Sequence, residues 1–204
     1  MDQKTDVEFQ FDFGSPNAYM AHRAIPGIEA RTGARFVYRP VLLGGLFKLT
    51  NNKPPMVAFA EIPAKRAYLT HEMARFRRKH GIDRFRMNPH FPLNTLLAMR
   101  GAVAARRQGV LPAYVEAVMA AMWEEGLKMD DPAVFADALR AAGLDADALV
   151  AGAADAEVKA ELAAETDAAA AAGAFGSPTF RIGDEMFFGK DQLYEIEAEL
   201  REAA

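Results

Sequence analysis

Ser15 stands where an apolar run gives way to a helical pattern, and Pro16 follows it. A serine there accepts a hydrogen bond from an orphan backbone N–H as a helix N-cap, and proline is favoured at the next position. The same place also suits negative charge, because a helix N-terminus stabilises it. Ser15-Pro16-Asn17-Ala18 has the form of a Cys-Pro-x-Cys redox motif with both sulfurs replaced. A thiolate of the chain's own would be stabilised at such a tip. A serine hydroxyl instead donates a hydrogen bond to a thiolate that a ligand brings.

Two further segments carry candidate chemistry. In Gly176-Ser177-Pro178-Thr179-Phe180 a proline precedes an apolar strand pattern. Most X-Pro bonds are trans, and a rigid turn is the plain reading. In the element order derived below, this position is one where a cis proline is expected, and the backbone of Ser177 then pairs with an extended peptide as an added strand would. In Gly189-Lys190-Asp191-Gln192, Asp191 reads equally as a first-turn carboxylate and as the partner of a bound amino group.

The elements that must position these residues follow from periodicity. Val7, Phe9, Phe11 and Phe13 alternate with polar residues, which predicts a strand with one buried face. A helix over 17–31 follows, in which Pro26 and Gly27 predict a kink or break. Phe36 to Leu42 is the second strand, so the opening is a βαβ unit with parallel pairing. Residues from about 57 to 172 read as helices at 63–80, 93–108, 111–126, 132–142, 145–151 and 155–172, bounded by Pro, Gly and Asp. Residues 178–182 and 185–188 flank Gly183-Asp184 as a tight hairpin, and a last helix spans about 190–202. The fold class is therefore α/β, a thioredoxin-like βαβ…ββα with a large helical insertion. Residues 1–50 and 173–204 form the thioredoxin-like domain, and 51–172 the helical one.

Composition narrows the function. A formal net charge of -4 over 204 residues argues against nucleic acid as the main partner. The cluster Arg75, Arg77, Arg78, Lys79 and His80 reads as a solvated helix face. No apolar run approaches the length of a membrane span, and the polar opening from Met1 to Asp6 lacks the pattern of a signal peptide, so a cytoplasmic protein is expected. The absence of cysteine excludes a disulfide scaffold, a thiolate zinc site and a dithiol redox centre. The four histidines are scattered and predict no metal site. Trp123 and the methionines read as core, and the fold would place Tyr19 and Phe47 beside a pocket near Ser15.

The chain resembles the 2-hydroxychromene-2-carboxylate isomerases and the related kappa-class glutathione transferases, thioredoxin-like proteins related to bacterial disulfide oxidoreductases. Six segments carry the resemblance in order along nearly the whole chain: Phe11 to Tyr19, Asn51 to Pro55, Ile62 to Tyr68, Phe91 to Gly101, Gly176 to Phe180, and Phe188 to Leu193. It implies glutathione as cofactor, an aromatic small-molecule substrate and a homodimer. By it, Ser15 matches the active-site serine at the glutathione sulfur, and Asn52 and Lys65 match glutathione-binding positions, Lys65 at the glycyl carboxylate. Ser177 matches the residue before the cis proline, Pro178, and its backbone would meet the cysteinyl part. Asp191 matches the carboxylate that meets the γ-glutamyl amino group. Lys190 matches a contact position often held by a smaller polar residue. Ser177 departs from the apolar residue usual there, and the loop from Met56 to Ile62 is longer than its family counterpart. The implied activity is isomerisation by reversible addition of a glutathione thiolate. A conjugating kappa-like transferase and a non-catalytic peptide-binding module stay open as alternatives.

Overall fold

The computed structural model describes residues 6–202, so the opening read from Met1 to Thr5 and the last two residues lie outside it. Strand β1 (Asp6–Phe11), helix α1 (Pro16–Thr32) and strand β2 (Arg35–Pro40) form the βαβ unit, with Phe9 opposite Tyr38 in a parallel ladder. At the other end of the chain, β3 (Thr179–Ile182) and β4 (Glu185–Phe188) make the expected hairpin, and β3 runs antiparallel to β1 with Phe180 opposite Phe9. The sheet order is β2-β1-β3-β4, closed by a 3₁₀ turn at Lys190–Gln192 and helix α10 (Leu193–Glu202).

Alternation along β1 puts Val7, Phe9 and Phe11 on one face, all without solvent exposure. Phe9 stacks on Phe180 at 5.1 Å and meets Tyr38 edge-on at 4.8 Å. Each such ring contributes about 2–3 kcal/mol through burial. Glu8, Gln10 and Asp12 therefore turn to the other face, and there Asp12 becomes wholly buried.

Between β2 and β3 lie eight helices among the described residues: α2 (Leu43–Leu49), α3 (Pro55–Ala58), α4 (Pro63–His80), α5 (Leu96–Arg107), α6 (Leu111–Trp123), α7 (Pro132–Ala141), α8 (Ala146–Ala154) and α9 (Ala156–Ala171). Trp123 is fully buried, and its indole N–H donates to the Phe13 carbonyl at 2.9 Å, which fixes this helical layer onto the end of β1. From Asn51 to His71 every residue except Phe59 is exposed, so α3 and the first half of α4 form an arm standing off the body.

Three expectations change. Helix α1 runs unbroken through Pro26, because Ile25 and Ile28 beside it are buried in the core and tertiary packing outweighs the roughly 3 kcal/mol that an interior proline costs. Helix α2 was not expected, since Gly44 and Gly45 weaken a helix on their own. It forms because Leu46 packs against Val41, Ala169 and Ala174, and because Gly45 lets Thr166 of α9 approach. The helix predicted to start at 93 starts at Leu96, after a cis Phe91-Pro92 bond and a non-helical Leu93 to Thr95.

Gly101 on α5 marks the tightest helix contact. A Cβ there would lie 2.1 Å from the Tyr114 hydroxyl, which is buried and donates to the Ala98 carbonyl at 2.7 Å. Gly101→Ala is expected to destabilise the protein by about 3 kcal/mol through overpacking, read as a lower urea midpoint. An unchanged midpoint would show that α6 shifts freely on α5.

Candidate functional site

Ser15 is the N-cap of α1. Its hydroxyl oxygen accepts from the Ala18 N–H at 3.2 Å, and Pro16 occupies the first helical position. The hydroxyl proton goes elsewhere: Ser15 Oγ donates to the Ser177 carbonyl at 2.8 Å, across 162 positions of sequence. The Ser177-Pro178 bond is cis, as expected from the element order. Capping and the long-range contact thus coexist on one hydroxyl. Ser15 and Ser177 are 5% and 8% exposed.

The side chain of Ser177 has a task that sequence reasoning did not assign. The Asp12 N–H, one position beyond the end of β1, donates to Ser177 Oγ at 3.0 Å. The hydroxyl thereby continues the β1–β3 pairing where the ladder has ended, which an apolar residue does not do. Thr179 Oγ1 in turn donates to the Gly176 carbonyl at 2.9 Å and stiffens the turn.

Asn52 joins the same cluster. Its amide nitrogen donates to the Phe175 carbonyl at 2.9 Å, two residues before Ser177. Phe175 and Phe188 pack ring to ring at 4.3 Å beside this segment, and both are partly exposed. Lys65 sits apart on the exposed arm, with its ammonium 3.5 Å from the centre of the Phe59 ring.

Asp191 is reached through Gly189, whose N–H donates to the Pro178 carbonyl at 2.9 Å. Gly189 has φ +97° and ψ 154°, a backbone state that L side chains rarely adopt. Lys190 then turns inward. Its side chain is 2% exposed, and Nζ contacts Glu72 Oε1 at 2.5 Å and Asp191 Oδ2 at 3.1 Å. Its charge is therefore paired within the protein, unlike the ligand contact that the resemblance implies. With two carboxylates and one ammonium, the cluster keeps one net negative charge when all three are ionised. Burial, the largest cause, pushes the Glu72 carboxyl above its ordinary range, with Lys190 opposing it. Glu72 and Asp191 line a cavity of about 550 Å³ with Tyr68, Phe76 and Tyr194; Glu197 and the basic Arg31, Arg75 and Lys79 also line it, and Ser15 is not among its walls. Glu72 was missed because it lies more than a hundred residues from Asp191, mid-helix on α4.

Tyr19, expected beside a pocket, is fully buried, and its hydroxyl donates to Glu124 Oε1 at 3.0 Å. Phe47 on α2 is half-buried. Arg23 pairs with both Glu124 and Glu116, while His22 Nε2 lies 3.1 Å from Glu116. The His22 hydrogen bond, aided by Arg23, holds the Glu116 carboxyl down at about 2. These contacts clamp α1, the helix that presents Ser15, to α6. Among the described residues no group of three or more acidic or histidine side chains is arranged to hold a metal ion.

The structure thus brings Ser15, Ser177 and Asn52 together around the Ser177-Pro178 segment, and gathers Glu72 and Asp191 around Lys190. The chain supplies no thiol of its own.

Comparison with known proteins agrees with this architecture. A model of the DSBA-like thioredoxin domain matches residues 6–201. A 2-hydroxychromene-2-carboxylate isomerase of Sphingobium xenophagum is 27% identical over 95% of this chain and 97% of that protein. A solved 2-hydroxychromene-2-carboxylate isomerase superposes with a TM-score of 0.82 at 26% identity, covering 96% of this chain and 94% of that one. A probable DsbA oxidoreductase from Streptomyces coelicolor shares the fold, with a TM-score of 0.77 at 20% identity over 98% of this chain and 89% of that one.

Ser177→Ala tests the side-chain bond. It leaves the buried Asp12 N–H without its acceptor and is expected to lower stability by about 1–2 kcal/mol, measured by urea unfolding. Equal stability of variant and parent would mean that the Asp12 N–H finds water.

Proposed function

We propose that this chain, which belongs to the DSBA-like thioredoxin domain family, is a glutathione-dependent isomerase of 2-hydroxychromene-2-carboxylate or a similar aromatic-degradation intermediate. One observation carries the reading: in a chain without cysteine, a serine hydroxyl at a helix tip bonds the backbone beside a cis proline. The likeness to isomerases over nearly the whole chain supports the reaction type.

Glutathione, when bound, supplies the nucleophilic sulfur that adds reversibly to a conjugated carbon and so frees a locked bond to rotate. The residues of the chain then have distinct parts. Ser15 turns its hydroxyl from the Ser177 carbonyl towards the sulfur, and the N-terminus of α1 adds favourable field for negative charge. The Ser177 backbone receives the cysteinyl unit. Asp191, together with Glu72, holds the amino group, and Lys190 keeps those carboxylates in place without facing the ligand. Asn52 and Lys65 serve the glycyl carboxylate. As a cofactor, glutathione would leave the reaction unconsumed. A homodimer belongs to this reading, and exposed Met56, Val57, Ile62, Tyr68 and Leu69 offer apolar area for it.

The test is incubation with 2-hydroxychromene-2-carboxylate with and without glutathione, following substrate absorbance and total free thiol together. The expected result is glutathione-dependent isomerisation at constant free thiol, with turnover reduced about a hundredfold in Ser15→Ala. Loss of free thiol in step with substrate would indicate a conjugating transferase. Glutathione-independent turnover, or full activity in Ser15→Ala, would contradict the proposal.

A further inference from the structure

Asp12 takes no part in the chemistry above, yet its polar atoms meet four separate segments of the chain. Its N–H donates to Ser177 Oγ at 3.0 Å, and its carbonyl accepts from the Ser15 N–H at 3.1 Å. Carboxylate Oδ1 accepts from the Gly14 N–H at 2.7 Å and from the Thr95 hydroxyl at 2.8 Å. Oδ2 accepts from the Leu43 N–H at 2.7 Å. The residue has no solvent exposure. None of its partners is a cation, although a buried carboxylate usually has one.

The identity of those partners gives the arrangement a purpose. Gly14 and Ser15 form the turn that presents the hydroxyl. Ser177 carries the backbone beside Pro178. Leu43 opens α2, which leads to Asn52, and Oδ2 acts as a cap for a helix that has no side-chain cap within its own sequence. Thr95 precedes α5, one of the helices that pack against the sheet domain. Gly14 packs so closely that an added Cβ would lie 3.2 Å from Asp12 Oδ1 and 3.1 Å from Thr95 Cγ2. An apolar residue would fill the space at lower desolvation cost but would leave these donors unpaired.

We propose that Asp12 is the positioning residue of the thiol cradle: its carboxylate sets the Ser15 turn, the Asn52 segment and the start of α5 relative to one another, without touching the ligand. The proposal rests on the glutathione reading. Among the described residues Thr95 is the one side-chain donor to the Asp12 carboxylate, which makes it the cleanest place to test the proposal. Thr95→Val preserves volume while removing one hydrogen bond to the Asp12 carboxyl. Thr95→Ser preserves the bond and removes a methyl group.

The experiment compares parent, Thr95→Val, Thr95→Ser and Asp12→Asn by calorimetric titration with glutathione, by turnover of 2-hydroxychromene-2-carboxylate, and by thermal melting. Thr95→Val is expected to weaken glutathione binding about tenfold, within the range by which a residue acting on a site without touching its ligand alters affinity, and to lower kcat as well. Thr95→Ser should stay within about twofold of the parent in both. Asp12→Asn, which turns an amide NH₂ towards at least one of the donors, should lose more than Thr95→Val wherever it folds. A Thr95→Val protein that melts lower but binds and turns over like the parent overturns the proposal, because Asp12 is then merely structural. A Thr95→Ser protein as impaired as Thr95→Val overturns it too, since methyl packing would explain the effect. Absence of glutathione binding by the parent removes the glutathione reading, and this proposal with it, whereas parent binding with an unaffected Thr95→Val removes the positioning role alone.

Discussion

The architecture depends on a meeting of two chain segments separated by more than 160 residues: the end of β1 with its following turn, and the loop that leads into β3. Two hydrogen bonds make that meeting: Ser15 Oγ donates to the Ser177 carbonyl, and the Asp12 N–H donates to Ser177 Oγ, while the Gly189 N–H ties the residue after β4 to the Pro178 carbonyl. The buried face of β1 fixes the register, because Phe9 must stack on Phe180 and a slip by one residue would turn every phenylalanine outward. Packing of aromatic rings therefore determines where a single hydroxyl points. The helical layer locks the result, with Trp123 bonded to the Phe13 carbonyl and Thr95 to Asp12.

Charge around this junction is arranged in two different ways. At the helix tip the Ser15 hydroxyl is a neutral donor and acceptor, and the carboxyl of Asp12 behind it is taken up by the Gly14 and Leu43 N–H groups and the Thr95 hydroxyl. At the Asp191 end, Lys190 pairs with the carboxylates of Glu72 and Asp191 in a partly buried group whose adjoining cavity also carries Arg31, Arg75 and Lys79. Under the proposed function, a ligand with a thiol in its middle and an amine at one end would meet both.

Much of this was legible in the sequence. The alternation of Val7, Phe9, Phe11 and Phe13, the Gly183-Asp184 hairpin and the Ser15-Pro16 helix start are local signals, and each element formed there, although β1 ends at Phe11 and leaves Phe13 in the turn. The cis bond at Pro178 followed from element order. What escaped was long-range. Helix α2 needs an acceptor from Asp12 and a neighbour in α9, neither visible in Leu43 to Leu49. The hydroxyl of Ser177 looked dispensable until the Asp12 N–H was seen to depend on it. Lys190 looked like a ligand contact because its pairing with Glu72 spans 118 positions. Tyr19 looked like a pocket residue because its partner, Glu124, is a buried acid that no local pattern announces.

The central claim is that the tip of α1 and Ser15 together stabilise the sulfur of a bound tripeptide as an anion. Ultraviolet titration of glutathione thiolate, with and without saturating protein, tests it most directly. The account predicts that the bound thiol ionises at least one pH unit below the roughly 8.5 of an ordinary thiol, and that Ser15→Ala moves the transition back towards the free value. A bound thiol that titrates like the free tripeptide, or a titration unaffected by Ser15→Ala, would contradict it.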